Sequence, residues 1–145
     1  MDTKKLVLAF IVVFVVLEIT NYLVHGVILS STYMSEGVKE IFRSDMSSNM
    51  WIIWVTDLIW SFFFVFFFVK GYENRGIMEG LRFGFYMGIF YGLVGSYQAY
   101  AMFPLPYSLA FQWFIYALIQ FLILGLTASL IYKPGKTAAP ESPAA

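Results

Sequence analysis

Four stretches of this chain, 6–30, 50–69, 81–103 and 108–132, run apolar for longer than the helices of a small soluble domain need. A helix that crosses a lipid bilayer takes about 20 mostly apolar residues, and each stretch meets that length. None alternates apolar and polar positions in the way a half-buried strand does. In hydrocarbon, backbone polar groups must be satisfied inside the segment, which selects helices over open strands. The expected fold is therefore all-α, a bundle of four transmembrane helices formed by residues 1–132, with 133–145 as a polar, proline-bearing and disordered tail.

Composition supports lipid as the solvent. Apolar residues make up 60% of the chain and charged residues 12%, against about 25% charged in a soluble domain. A soluble fold of this size buries only about two-thirds of its chain surface and could not hide so much apolar area. The net charge is zero and cysteine is absent. No global field favours nucleic acid, and thiolate ligation, disulfides and cysteine nucleophiles are excluded. Lys4 and Lys5 before the run 6–17 imitate a signal peptide. The run continues past Glu18 to Leu29 without a small-x-small closure, so it reads as a retained helix.

Basic residues set the expected orientation. Lys4, Lys5, Lys70, Arg75, Arg82, Lys133 and Lys136 fall on one side, and only Lys39 and Arg43 on the other. That bias places the N-terminus, the 70–80 loop and the C-terminus in the cytoplasm, in a bacterial inner (plasma) membrane. In the external loop 31–49, Met34, Val38, Ile41, Phe42 and Met46 recur at helical spacing. They read either as a short amphipathic helix on the outer membrane face or as an ordinary loop helix packed on the bundle. Pro104 and Pro106 end the third span.

Gly80, Gly84, Gly88 and Gly92 lie four apart on the third span and make a helix-packing strip, preferentially toward a helix of the same chain. Trp51, Trp54 and Trp60 accompany a phenylalanine run, 62–68, that surrounds the second span. Lipid contact is the ordinary use of such rings.

Polar residues inside the spans are the candidate site: Glu18, Asn21 and His25 on the first, Asp57 on the second, Gln98 on the third, Gln112 and Gln120 on the fourth. Ionisable groups are expensive there and each is a site candidate by default. The i, i+3, i+7 spacing of Glu18, Asn21 and His25 puts them on one α-helical face. In the structural reading His25 pairs with Asp57, and Glu18 bonds Gln120 or a backbone carbonyl. In a second reading the cluster handles protons or ions around Glu18. In a third, His25, Asp57 and Glu18 hold a metal or another ligand. One histidine without cysteine makes that metal set weak, and no cofactor can be named. No nucleophile triad or phosphate loop is present, so the reading leans away from an enzyme.

The pattern Glu18-x-x-Asn21-Tyr22-x-x-His25-Gly26, followed by Lys70-Gly71-Tyr72-Glu73 and Glu79-Gly80-Leu81-Arg82-Phe83-Gly84, resembles a group of small bacterial four-helix integral membrane proteins of unknown function. The resemblance covers nearly the whole chain except the tail. It implies the four-helix fold and transfers no functional residue. The small multidrug transporters also have four helices and a membrane-embedded Glu in the first. This chain departs from them in its length, its long external loop, His25 and Asp57, so their activity is not carried over.

The function expected from these features is that of a non-catalytic accessory or structural subunit of a larger membrane complex, or of a homo-oligomer. Its partners would be the bilayer and other membrane subunits or its own copies. The alternative is a small proton-coupled transporter or ion-conducting protein centred on Glu18, with Asp57 and His25 as an outer relay. A third class is an intramembrane cofactor or metal binder.

Overall fold

The computed structural model describes residues 1–133. The expected tail lies, from residue 134 on, outside the described residues. Among the described residues every regular element is helical. Helix α1 (Thr3–Asn21) starts at Asp2, whose carboxylate accepts from the Lys5 amide at 3.1 Å. This satisfies one of the free donors of the first turn. The helix runs on into a wider π-helical stretch, Tyr22–Ile28, and after Leu29 into one turn of α2 (Ser30–Tyr33). Helix α3 (Met50–Lys70) returns. The third long segment is α4 (Ile77–Met87), a second π-helical stretch (Gly88–Leu93) and α5 (Val94–Met102). Helix α6 (Tyr107–Ile131) closes the bundle.

Three of these helical stretches, Thr3–Ile28, Met46–Lys70 and Tyr107–Ile131, are long and apolar enough to cross a membrane. The third segment is not among them, because glycine, tyrosine, Glu79 and Arg82 replace aliphatic side chains along it.

Helix α6 is the centre of the packing, with α4, α5, the second π stretch and α1 laid against it. Helix α3 packs chiefly on α1. Leu6, Ala9, Val13 and Leu17 recur every three or four residues and form the buried stripe of α1. They meet Phe64, Val65 and Phe68 of α3 and Phe121, Leu124 and Ala128 of α6. The opposite face of α1, with Leu8, Ile11 and Ile19, stays about half exposed. Such a face suits an apolar solvent.

The glycine strip turns toward α6 of the same chain. A Cβ on Gly80 would collide with the carbonyl of Gly125, and one on Gly84 with that of Phe121. At Gly88 it would lie 2.9 Å from Leu118 Cδ1, and at Gly92 2.9 Å from the Ala117 Cβ. The missing side chains let the two backbones approach, as small residues do in apolar interfaces. Gly95, off the strip's register, faces open space.

One end of the bundle gathers the chain start, the 71–76 turn and the end of α6. The Asp2 amide donates to the Tyr132 hydroxyl at 3.2 Å, Lys5 Nζ donates to the Lys133 carbonyl, and the Tyr72 and Tyr132 rings meet edge to face at 5.2 Å. The turn itself is tight. Asn74 has φ 60°, and Gly76 has φ 71° and ψ −150°, a region essentially reserved for glycine. Glu79, buried in the first turn of α4, folds back to accept from the amides of Glu73 (2.5 Å) and Arg75 (2.8 Å). At the surface Glu73 pairs with Arg75 at 2.8 Å.

The amphipathic helix considered for 31–49 does not form as one element. Gly37, at φ 82°, interrupts the periodic pattern, and the segment breaks into α2 and two short 3-10 turns, Lys39–Ile41 and Met46–Asn49. Its apolar residues divide accordingly. Val38 is buried, with Ile41 and Phe42 packed beside it, against Leu29, Leu105 and Leu109 at the bundle end, while Met34 and Met46 stay exposed.

Candidate functional site

Midway along the bundle, α1, α3 and α6 meet through polar side chains. Gln120 Nε2 donates to Thr20 Oγ1 at 2.7 Å and to Asn21 Oδ1 at 2.8 Å. Asn21 Nδ2 in turn donates to Asp57 Oδ2 at 3.0 Å. The Thr20 hydroxyl spends its own proton on the carbonyls of Val16 and Leu17, both at 2.9 Å. An amide has two donors and a two-lone-pair acceptor, so Asn21 can link both neighbouring helices at once. The Glu18 carboxyl, one turn before Asn21, is within hydrogen-bonding reach of the Asp57 carboxyl. Two carboxyls bond to each other only with a proton between them. Tyr91, from the second π stretch, approaches Asp57 from the third segment. Its ring, with Trp60 and Phe121, walls that side at centroid separations of 5.0 to 6.0 Å.

Two side-chain oxygens of the described residues are buried without a hydrogen-bond partner: Glu18 Oε1 and Ser61 Oγ. Ser61 is fully buried. It stands four residues after Asp57, on the same face of α3 and one turn further in. Ser61 belongs to the buried stripe of α3 with Phe64, Val65 and Phe68, the stripe that packs among the apolar residues of α1 and α6.

A second polar group lies toward the end opposite the chain start and the end of α6. Tyr33 is its hub: Trp113 Nε1 donates to the Tyr33 hydroxyl at 2.7 Å, and His25 Nδ1 lies 2.6 Å from the same oxygen. An indole can only donate, which leaves the Tyr33 proton free for His25 Nδ1. Phe42 covers the Tyr33 ring at 5.3 Å. Burial pushes the Tyr33 phenol up to about 12, with the Trp113 bond acting more weakly in the other sense.

The polar residues expected to act together thus divide. Asn21, Asp57, Glu18 and Gln120 converge. His25 does not join them, and its expected pairing with Asp57 is replaced by the bond to Tyr33. The reason is local: His25 sits in the π-helical stretch, whose wider turn breaks the α-helical spacing that would align it with Glu18. Glu18 pairs with Asp57 rather than Gln120, whose amide is taken by Thr20 and Asn21. The metal set of His25, Asp57 and Glu18 is not assembled, and no group of three or more His, Cys, Asp or Glu placed to hold a metal occurs among the described residues. Gln98 is exposed on α5 and Gln112 half-buried on α6, both apart from the Gln120 bonds.

Sequence reasoning missed Thr20, Ser61, Tyr33, Trp113 and the Gly125 partner of the glycine strip. Ser61 carried a usable signal, its i, i+4 relation to Asp57. Tyr33 and Trp113 carried none, since they are 80 residues apart.

No protein-family model, curated protein or solved structure matches this chain.

Proposed function

We propose that the chain is a four-span integral membrane protein with cytoplasmic N- and C-termini, and that it works as a non-catalytic subunit of a larger membrane assembly or of a homo-oligomer. The third segment is the fourth span in this reading. Its low hydropathy is tolerable because its glycine face is covered by α6. Seven of the nine basic residues lie at the chain termini, in the 70–80 loop or next to it, which favours that end as cytoplasmic.

The observation that carries the subunit reading is the far half of α3. Trp51 to Thr56, Leu58 and Ile59 are exposed on every side of the helix, and Asp57 alone is partly covered. A helix inside its own bundle buries a stripe along its length, and here the stripe stops at Trp60. The π stretch Tyr22–Ile28 beside it buries no residue either. A second chain would complete both. The test is native mass in mild detergent, with a photo-crosslinker at Trp54 and, as a control, at Ile11. A stoichiometric complex or defined oligomer, crosslinked through Trp54, is the expected result. A lone folded monomer in native membranes sinks the reading.

The Glu18–Asp57 contact favours a second reading, a small proton-coupled transporter or ion-conducting protein. It predicts a proton-dependent flux in proteoliposomes that Glu18→Gln abolishes.

A further inference from the structure

We propose that Glu18, Asp57 and Ser61 form a binding site for one small monovalent cation, sodium or lithium, that exchanges with the proton shared by the two carboxyls. The proposal rests on the second reading above for its use, and on the geometry alone for its existence.

The donor set comes first. Glu18 and Asp57 bring two carboxyls into contact across the α1–α3 interface. Acidic residues alone do not define a site. The further observation is Ser61, a fully buried hydroxyl without a partner, one turn from Asp57 on the stripe of α3 that packs against α1 and α6. Glu18 Oε1 is the other buried side-chain oxygen of the described residues left in that condition. One unspent oxygen thus belongs to the carboxyl pair, and the other stands one turn from Asp57 along α3. Burying a polar oxygen unpaired is costly, and a hard cation is the partner that several oxygens can satisfy together.

The charge count selects a monovalent ion. With one proton shared, the pair carries a single negative charge. Releasing the proton and admitting sodium leaves that charge unchanged, whereas a divalent ion would add a positive charge. The surroundings add no competing cation. Asn21 donates to Asp57 from α1, α6 contributes the neutral Gln120 amide, and Tyr91 is the titratable group that approaches from the third segment. No Lys, Arg or His bonds to either carboxyl among the described residues. All donors are oxygen, which suits hard ions rather than soft transition metals.

The experiment is equilibrium binding of radioactive sodium to the purified full chain in lipid nanodiscs, with proton, lithium, potassium and calcium as competitors. Proton flux in proteoliposomes is measured alongside. Expected are saturable binding of one ion per chain, displacement by acid and by lithium, and weak displacement by potassium and calcium. Glu18→Gln and Asp57→Asn should abolish binding. Ser61→Ala, a near-isosteric change that spares the fold, should weaken it roughly two- to tenfold. Sodium binding without flux would keep the site and remove the transport reading. Proton flux without sodium binding would keep transport and overturn the site. Binding unaffected by Ser61→Ala and Glu18→Gln together also overturns it.

Discussion

The carbonyl oxygen of Gly125 occupies the place where a Cβ on Gly80 would stand, and the carbonyl of Gly80 occupies the same place on Gly125. This reciprocal contact anchors α4 to α6 near the end that gathers the chain start and the end of α6. It puts two glycines, poor helix formers in water, to use as a backbone-to-backbone contact between helices.

Stability should therefore respond to a methyl group according to register. Gly84→Ala drives a Cβ into the Phe121 carbonyl, and overpacking of this kind costs about 1–3 kcal/mol. Gly95→Ala meets open space and should be neutral or gain up to about 1 kcal/mol from helix propensity. Thermal unfolding in detergent distinguishes them. Equal effects from the two substitutions would mean that the strip does not pack on α6.

The polar junction should behave as one unit. Gln120→Leu removes two hydrogen bonds to α1, and intramembrane bonds average about 0.6 kcal/mol each. A loss of about 1 kcal/mol is expected. Asn21→Leu should cost more, because it also strips Asp57 of its donor. The double variant should lose less than the sum of the singles. A strictly additive cycle would show that the side chains do not meet.

Turn chemistry offers a third prediction. Gly76→Ala places a side chain at φ 71° and ψ −150°, at a cost of about 1–3 kcal/mol. Gly71→Ala, at φ −93° with its nearest Cβ neighbour 3.6 Å away, should be tolerated. Glu79→Ala releases two loop amides and should cost about 1 kcal/mol. Proteolytic nicking of the 71–76 turn should rise for Gly76→Ala and Glu79→Ala and stay at the parent level for Gly71→Ala.

The lack of cysteine makes orientation easy to test. Single cysteines at Glu36 and Glu73, both exposed, leave the basic residues untouched, and acidic residues contribute little to topology. In intact cells a membrane-impermeant thiol reagent should label Glu36→Cys, and reach Glu73→Cys only after lysis. The reverse pattern would invert the proposed topology.

Much of the helix layout was legible because the chain's own hydropathy declares it: Thr3–Ile28, Met46–Lys70 and Tyr107–Ile131 overlap three of the expected spans closely. The glycine register was legible too, since a spacing of four puts small residues on one α-helical face. His25 was misplaced because no residue type announces a π-helical turn, and one such turn breaks an i, i+7 alignment with Glu18. The Glu18–Asp57 contact depends on how far α1 slides along α3, which is set by apolar packing such as Phe10 on Phe62. In the 31–49 loop Gly37 carried the stop signal, yet the apolar spacing around it reads as helix.

Tyr33 makes the last prediction, one of pH. Burial raises its phenol from 10.0 to about 12, so the folded chain holds this proton after the unfolded chain has released it. Between those values the folded state binds more protons, and stability must fall as pH rises. The contribution is fully present below about pH 10 and is lost by about pH 12, a change of about 2.7 kcal/mol at 1.36 kcal/mol per unit. Tyr33→Phe should remove this part of the alkaline decline. At neutral pH it should cost about 1 kcal/mol through the lost Trp113 bond. Denaturation of parent and variant across the alkaline range, followed by tryptophan fluorescence, gives the difference curve. A difference that stays flat from neutral pH to pH 12 would show that Tyr33 is not the buried hub joining His25 and Trp113.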